Sequence, residues 1–421
     1  MKYMELLAKK SNKKMVTSSR TNWCISLLIL LLLMIEPNTY ISYYYVSPLV
    51  SSIILMILGL FLYKKKKLNN VTGHFFAHKY SLFVCIVLVA LVIISKFIHV
   101  DNSNYYFSLI MYIFVAFCFY IIIDFESFVD NYIKVLVFLS VYSLIATYSY
   151  LIFPSFFSKI FPTFNHFSDA YYEGHISFIN TIFCNILVPD NGVQFRNFGI
   201  FREPGVYQFY LLIALLFELF IKKNSNFKIV GILFITLLST FSTVGIVLAF
   251  ITLLYFDIFS KNKDLKVYLY IVILGIIVFV IFNYFPELDS MLDSSLDKLN
   301  GGGSFDSRLG SLIGNANAWF EKPLFGWGYT EGVIGQGSLF LRQYTTDNTN
   351  TLFTNLALFG VFYGTIHFFG CLRFGFFCKR SVFSCIFISI IYIISMNTQR
   401  FIDTPIIFIL IFYAFASQKY K

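Results

Sequence analysis

Charge is what this sequence has least of. Asp, Glu, Lys and Arg together make up 13% of its 421 residues, well below the quarter or so of a soluble globular chain, which excludes a sizeable soluble domain. Nucleotide motifs are missing too: there is no GxxxxGK[ST], and no GxGxxG links a strand to a helix. No HExxH, DxD or carboxylate triplet stands in a metal-like arrangement, so no metal is expected. The cysteines (Cys24, Cys85, Cys118, Cys184, Cys371, Cys378 and Cys385) include no CxxC pair and no His at ligand spacing. They read as small buried hydrophobes, not as a disulfide framework. No internal repeat or low-complexity tract is present.

What is there is apolar and aromatic. Hydrophobic residues make up 58% of the chain and aromatics 20%, with 53 Phe. Crossing a hydrocarbon core takes about 20 residues of helix. The apolar runs predict an all-α polytopic membrane protein with about 12 transmembrane helices, at 22–41, 46–63, 80–99, 105–123, 133–153, 205–221, 229–242, 244–259, 267–285, 350–372, 381–398 and 405–417. Lys9, Lys10, Lys13, Lys14 and Arg20 precede the first run as in a signal peptide, but no small-residue cleavage site follows. An uncleaved first helix is the reading.

The net charge of +10 is arranged for orientation, not for nucleic acid. The N-terminal cluster, Lys64 to Lys67, Lys222, Lys223, Lys228, Lys261, Lys263, Lys266, Arg373, Lys379, Arg380 and the C-terminal lysines all fall on one side of the predicted spans. Positive charge marks that side as cytoplasmic, with both termini there. The acidic segment at Asp124, Glu126 and Asp130 is placed inside as well. Residues 229–259 are flanked by basic clusters at both ends, which predicts a hairpin of two short helices turning near Ser239–Thr243. Two long outer loops remain, about 154–204 and 286–349. The first is aromatic and suits the membrane interface. The second opens with an amphipathic helix over 287–299 and carries a short helix over about 306–321.

The basic residues of the outer side differ in kind. Arg196, Arg202, Arg308, Arg342 and Arg400 fall there, with few lysines. Arginine holds phosphate or carboxylate with a planar fork, so the pattern points to an anionic ligand such as a lipid phosphate or pyrophosphate. Lipid headgroups or neighbouring Asp and Glu are the competing partners. The densest cluster is Arg196-Asn-Phe-Gly-Ile-Phe-Arg202-Glu203-Pro204-Gly205. Pro204 suits the first turn of a helix whose positive end then lies beside Arg196 and Arg202. Glu203 reads either as a cap for that helix, favoured by local chemistry, or as a general base. A second cluster runs through Ser307-Arg308 to Trp319 and Pro323-Leu-Phe-Gly326-Trp327-Gly328, where two tryptophans offer faces for sugar rings or simply fold the loop back. Asn350 begins the next span and suits a cap. His367 reads as a packed core residue. Arg400 either binds the same ligand or pairs with Asp403 to anchor the last outer turn. Glu36 and Glu218 fit an interface position.

Arg202-Glu203-Pro204-Gly205, with Ser307-Arg308, Trp319 and Pro323-Leu324-Phe325-Gly326-Trp327-Gly328, resembles the bacterial O-antigen and capsular polysaccharide polymerases (Wzy-type), relatives of the O-antigen ligases. The motifs span about 190–370, and the helix layout extends the likeness over the chain. The resemblance implies an enzyme of the cytoplasmic membrane that joins oligosaccharide repeat units carried on undecaprenyl pyrophosphate. An acceptor hydroxyl attacks the donor's anomeric carbon on the outer face, without metal or cofactor. Arg202 and Arg308 match the pyrophosphate-holding positions and Glu203 gains as a base. Arg196, Arg400, Trp319, Trp327 and Asn350 are the expected substrate contacts. Implied partners are the lipid-linked glycan donor and acceptor, the bilayer, a chain-length regulator and a flippase, and no nucleic acid. Ligases carry a His-Asn pair where this chain has Thr349-Asn350, which favours the polymerase branch. A lipid-linked oligosaccharide flippase is the other class, but the spans are nearly uncharged and the halves do not match.

Overall fold

The computed structural model describes residues 23–44, 79–100, 104–166, 176–188, 196–259, 304–329, 349–377 and 381–416, with 50, 53, 54 and 57. The expected spans at 46–63 and 267–285, the amphipathic helix at 287–299, Arg342 and Cys378 lie outside the described residues. Within them the chain is mostly helical. The helices are α1 (Trp23–Met34), α2 (Tyr40–Tyr44), α3 (Lys79–Ile98), α4 (Tyr105–Ile122), α5 (Phe125–Ile152), α6 (Pro154–Ile160), α7 (Pro204–Leu216), α8 (Phe227–Ser239), α9 (Thr243–Phe259), α10 (Ser304–Glu321), α11 (Thr351–Leu372), α12 (Val382–Met396) and α13 (Pro405–Phe415). A π turn, Phe217–Ile221, extends α7, and a 3-10 turn, Arg373–Phe377, extends α11. Five of these elements are long and apolar enough to cross a membrane: α3, α4, α5, and α7 and α11 with their extensions.

The pillar of the bundle is α7, buried along almost its whole length. Phe201 stacks on Tyr210 at 4.4 Å and Phe209 on Phe401 at 4.3 Å. In lipid, helices associate by close packing rather than by escape from water. Gly245 of α9 meets Gln208 of α7 at such an approach, and a Cβ there would strike the Gln208 side chain. His367 is buried and its ring stacks on Tyr363 at 4.8 Å. Around the core, Phe83, Phe97, Ile145 and Phe383 project outward as exposed apolar side chains.

Three differences from the sequence reading matter. The first helix ends at Met34, and Ile35–Asn38 forms a turn. The fifth starts at Phe125, because the Asp124 carboxylate accepts a bond from Ser127 N at 2.9 Å and caps it. The expected all-α fold also carries a small antiparallel sheet, β1 (Thr163–His166), β2 (Ile176–Asn180) and β3 (Asn185–Val188) in that order. Thr163 pairs with Ile179 and Phe178 with Leu187. The tight β2–β3 turn is closed by Thr181, which donates to the Cys184 carbonyl through both N (2.9 Å) and Oγ1 (3.0 Å). Ile179, Cys184 and Ile186 bury against Ala146, Tyr150 and Phe157. The apolar content that suggested an interfacial segment serves this packing.

The predicted hairpin is present as α8 and α9, and the helix expected at 306–321 is α10. A loop, 322–329, folds back from α10 into α11. There Gly360 has φ +77 and faces the Leu324 carbonyl, a left-handed conformation and an approach that only glycine allows. Trp327 N donates to Ala357 O and Val361 N to Pro323 O, each at 2.8 Å, across this kink.

Candidate functional site

One end of the bundle gathers Arg196, Arg202, Glu203 and Arg400. The other carries Lys222, Lys223, Lys228 and Arg373. Arg202 and Lys222 flank opposite ends of α7 and its π turn, about 27 Å of helix.

The segment 196–202 is fixed from several directions. Asn185 of β3 donates through N to Gly199 O at 2.6 Å and through Nδ2 to Phe201 O at 3.1 Å. Asn197 Nδ2 donates to Ser143 Oγ of α5 and to Ser239 Oγ of α8, each at 3.0 Å. Arg196 Nη2 donates to the Phe241 carbonyl in the α8–α9 turn at 2.8 Å. Thr39 bridges to Phe201, and Arg202 N donates to Asn38 O at 3.0 Å. The sheet, two helices, the α8–α9 turn and the turn after α1 therefore set where Arg202 sits.

The turn carrying Arg400 is held just as firmly. Asn350 caps α11, its side chain accepting from Phe353 N at 2.9 Å. Thr351 Oγ1 donates to Met396 O (2.9 Å) and Gln399 O (2.7 Å) and accepts from Phe401 N (2.9 Å). Gln208 Nε2 of α7 donates to Thr398 Oγ1 at 3.0 Å, and Asn38 Nδ2 to Thr404 Oγ1 at 3.3 Å. Asn350 is buried and its Oδ1 is occupied by the cap, so its visible role is to start the helix that clamps this turn.

Glu203 occupies the N-cap position of α7, and Pro204 is the first helical residue, as expected. Its side chain makes no capping bond and is exposed, so local capping does not explain it. Arg400 makes no hydrogen bond to a described residue and no close ion pair with Asp403. It lies near enough for its charge to hold down the Asp403 carboxyl, and Arg202 acts on the same group. Burial outweighs both and leaves Asp403 above the usual carboxylate range.

Behind Asp403 lies a residue that the sequence reading placed at the interface. Glu36 is 1% exposed, and neither carboxyl oxygen meets a hydrogen-bond partner in full geometry. The Tyr210 and Thr404 hydroxyls are its nearest polar neighbours, outside that geometry. Burial, with the Asp403 charge adding to it, pushes Glu36 up to about 8. Its backbone is pinned: Thr39 donates to Glu36 O through N (2.9 Å) and Oγ1 (2.8 Å). An unsatisfied buried carboxyl costs about 1–3 kcal/mol or more. The sequence signal was an acid at the end of an otherwise uncharged run, followed by Pro37 and Asn38.

The second cluster folds a corner. Trp327 Nε1 donates to Ala318 O at 2.8 Å and Trp319 Nε1 to Pro323 O at 3.2 Å. Lys322 Nζ sits 3.5 Å from the Trp327 ring centroid. Both indole N–H groups are thus committed to the α10 corner. That corner reaches the first cluster through Tyr329, whose ring stacks on Tyr105 at 3.4 Å and whose N donates to Tyr106 Oη at 2.8 Å. Tyr105 in turn senses the charges of Asp403 and Arg400. Arg308 lies on α10.

Compared with known families, with curated proteins and with solved structures, the chain gives no match.

Proposed function

We propose that the protein is a polysaccharide polymerase that joins undecaprenyl-pyrophosphate-linked repeat units into an O-antigen or capsular polysaccharide on the outer face of the bacterial cytoplasmic membrane. The observation that carries this reading is that Arg202, at the start of α7, and Arg400 both act on one half-buried carboxylate, Asp403 in the turn before α13, with Arg400 making no hydrogen bond to a described residue. Guanidinium groups beside a helix N-terminus suit a pyrophosphate whose charge grows as it leaves. Arg196 adds charge at a position tied to the α8–α9 turn, and α10 carries Arg308. The lysine end faces the cytoplasm by the positive-inside rule. Glu203 at the rim and Asp403 in the wall are the carboxylates nearest the arginines in sequence and position among the described residues. Trp319 and Trp327 frame the corner against which sugar rings rest.

The test is purified protein in liposomes with a panel of lipid-pyrophosphate-linked repeat units, resolved on a gel without added metal or nucleotide. A ladder spaced by one repeat supports polymerisation. Movement of the unit across the bilayer without a ladder assigns the protein to the flippases instead, and attachment of the glycan to a lipid acceptor in a single step assigns it to the ligases.

A further inference from the structure

The wall of the site joins two carboxyls from distant parts of the chain. Asp403, in the turn before α13, is half-buried and lies within range of the charges of Arg400 and Arg202, and Tyr105 of α4 and Tyr363 of α11 feel its charge. Glu36, in the turn after α1, feels it too. Tyr210 of α7, Tyr132 of α5 and the Thr404 hydroxyl surround Glu36, and no cation among the described residues acts on it. The turns holding both groups are tied to each other by the Asn38–Thr404 bond.

We infer that Asp403 and Glu36 work as a pair in the transfer proposed above, Asp403 taking the proton of the attacking sugar hydroxyl and Glu36 acting as its positioning residue. The inference rests on the polymerase reading. In the step, the hydroxyl oxygen forms a bond to the donor's anomeric carbon. The bond from that carbon to the pyrophosphate oxygen breaks, and its electron pair leaves with undecaprenyl pyrophosphate, whose charge Arg202 and Arg400 meet. The hydroxyl proton passes to the Asp403 carboxylate and then to water.

The two environments divide the roles. Burial raises Asp403 and makes it a stronger base than a free aspartate, while the charges of Arg400 and Arg202 act against that rise. Glu36 has no such cation and stays protonated up to about 8. Below that pH Glu36 adds no charge to the pair. Above it a charge appears on Glu36 against the pyrophosphate and repels the donor. The acid limb of a rate profile then belongs to Asp403 and the alkaline limb to Glu36. Glu203 is exposed at the rim.

Initial polymerisation rates across the pH range, together with binding of the lipid-pyrophosphate-linked unit, test the pair in liposomes. Asp403→Asn is expected to bind the unit yet lose about 100-fold or more in turnover, and Asp403→Glu to recover part of it. Glu36→Gln is expected to lower the rate at pH 7 several-fold and to abolish the decline near pH 8. An Asp403→Asn protein within threefold of wild type overturns the inference and leaves the polymerase reading standing. One that loses binding and turnover together assigns Asp403 to holding the loop and also overturns it. Persistence of the alkaline decline in Glu36→Gln removes Glu36 from the pair. Absence of any ladder from the wild type across the panel sinks the polymerase reading and this inference with it.

Discussion

The two ends of the bundle each bury a glutamate and treat it in opposite ways. Glu218, in the π turn closing α7, is 0% exposed and fully engaged. It accepts from Lys222 Nζ at 3.1 and 3.4 Å and from Asn226 N at 2.6 Å. Glu36, at the arginine end, is 1% exposed and accepts nothing in full geometry. The first arrangement is what folding asks of a buried carboxylate, because its partners replace the water it lost. The second departs from that rule. Such departures collect at functional sites, where a group must stay available for chemistry. The same contrast holds for the cations: Lys222 is spent on its own helix, whereas Arg400 bonds to none of the described residues.

The sharpest way to break this comparison is to change the cations at each end. Arg202→Lys or Arg400→Lys keeps the charge and removes the fork. Each is expected to cut polymer formation about 100-fold or more, with normal membrane insertion. Lys222→Arg, at the other end, is expected to leave polymer yield near wild type. Wild-type ladders from both arginine variants would remove the pyrophosphate role.

Next come the glutamates, read by thermal unfolding in detergent. Glu36→Gln is expected to stabilise. The unfolded carboxyl ionises above its ordinary 4.5, while the folded one holds its proton up to about 8. Wild-type stability therefore falls as pH rises between those values, by about 1.4 kcal/mol per unit at most, and glutamine removes that loss. The gap between variant and wild type should widen from pH 5 to pH 8 and then level. Glu218→Gln is expected to destabilise by about 2 kcal/mol, since it strips charge from bonds already made. Equal losses in both variants would make the two carboxyls equivalent and dissolve the contrast.

Why one end was legible and the other only in part follows from how each is built. Apolar runs, Pro204 at a helix start, the α8–α9 hairpin and the α10 segment are local features, and short-range rules find them. The sheet was missed because its strands are four or five residues long and apolar on the face that packs on α5, so composition alone read them as interfacial. Glu36 was seen but misplaced. Its burial depends on Tyr210 and Thr404, some 170 and 370 residues away, and only their helices bring them together. Arg202 and Arg400 were picked for their residue type. That they face a common carboxylate depends on bonds from Asn185, Asn38 and Thr351, which no spacing in the chain encodes.

The smallest effect separates the rim of the site from its wall. Glu203 and Asp403 are both carboxylates near Arg202; local chemistry read Glu203 as a cap, and the family resemblance raised it as a base. The structure leaves its side chain exposed and without a capping bond. A group in that position can touch an acceptor sugar. Glu203→Gln is therefore expected to raise the acceptor KM about threefold to tenfold with kcat nearly held, the signature of uniform binding rather than of proton transfer. A collapse of kcat with KM unchanged would move the base from the wall to the rim, and would make Asp403 the residue that only holds its loop.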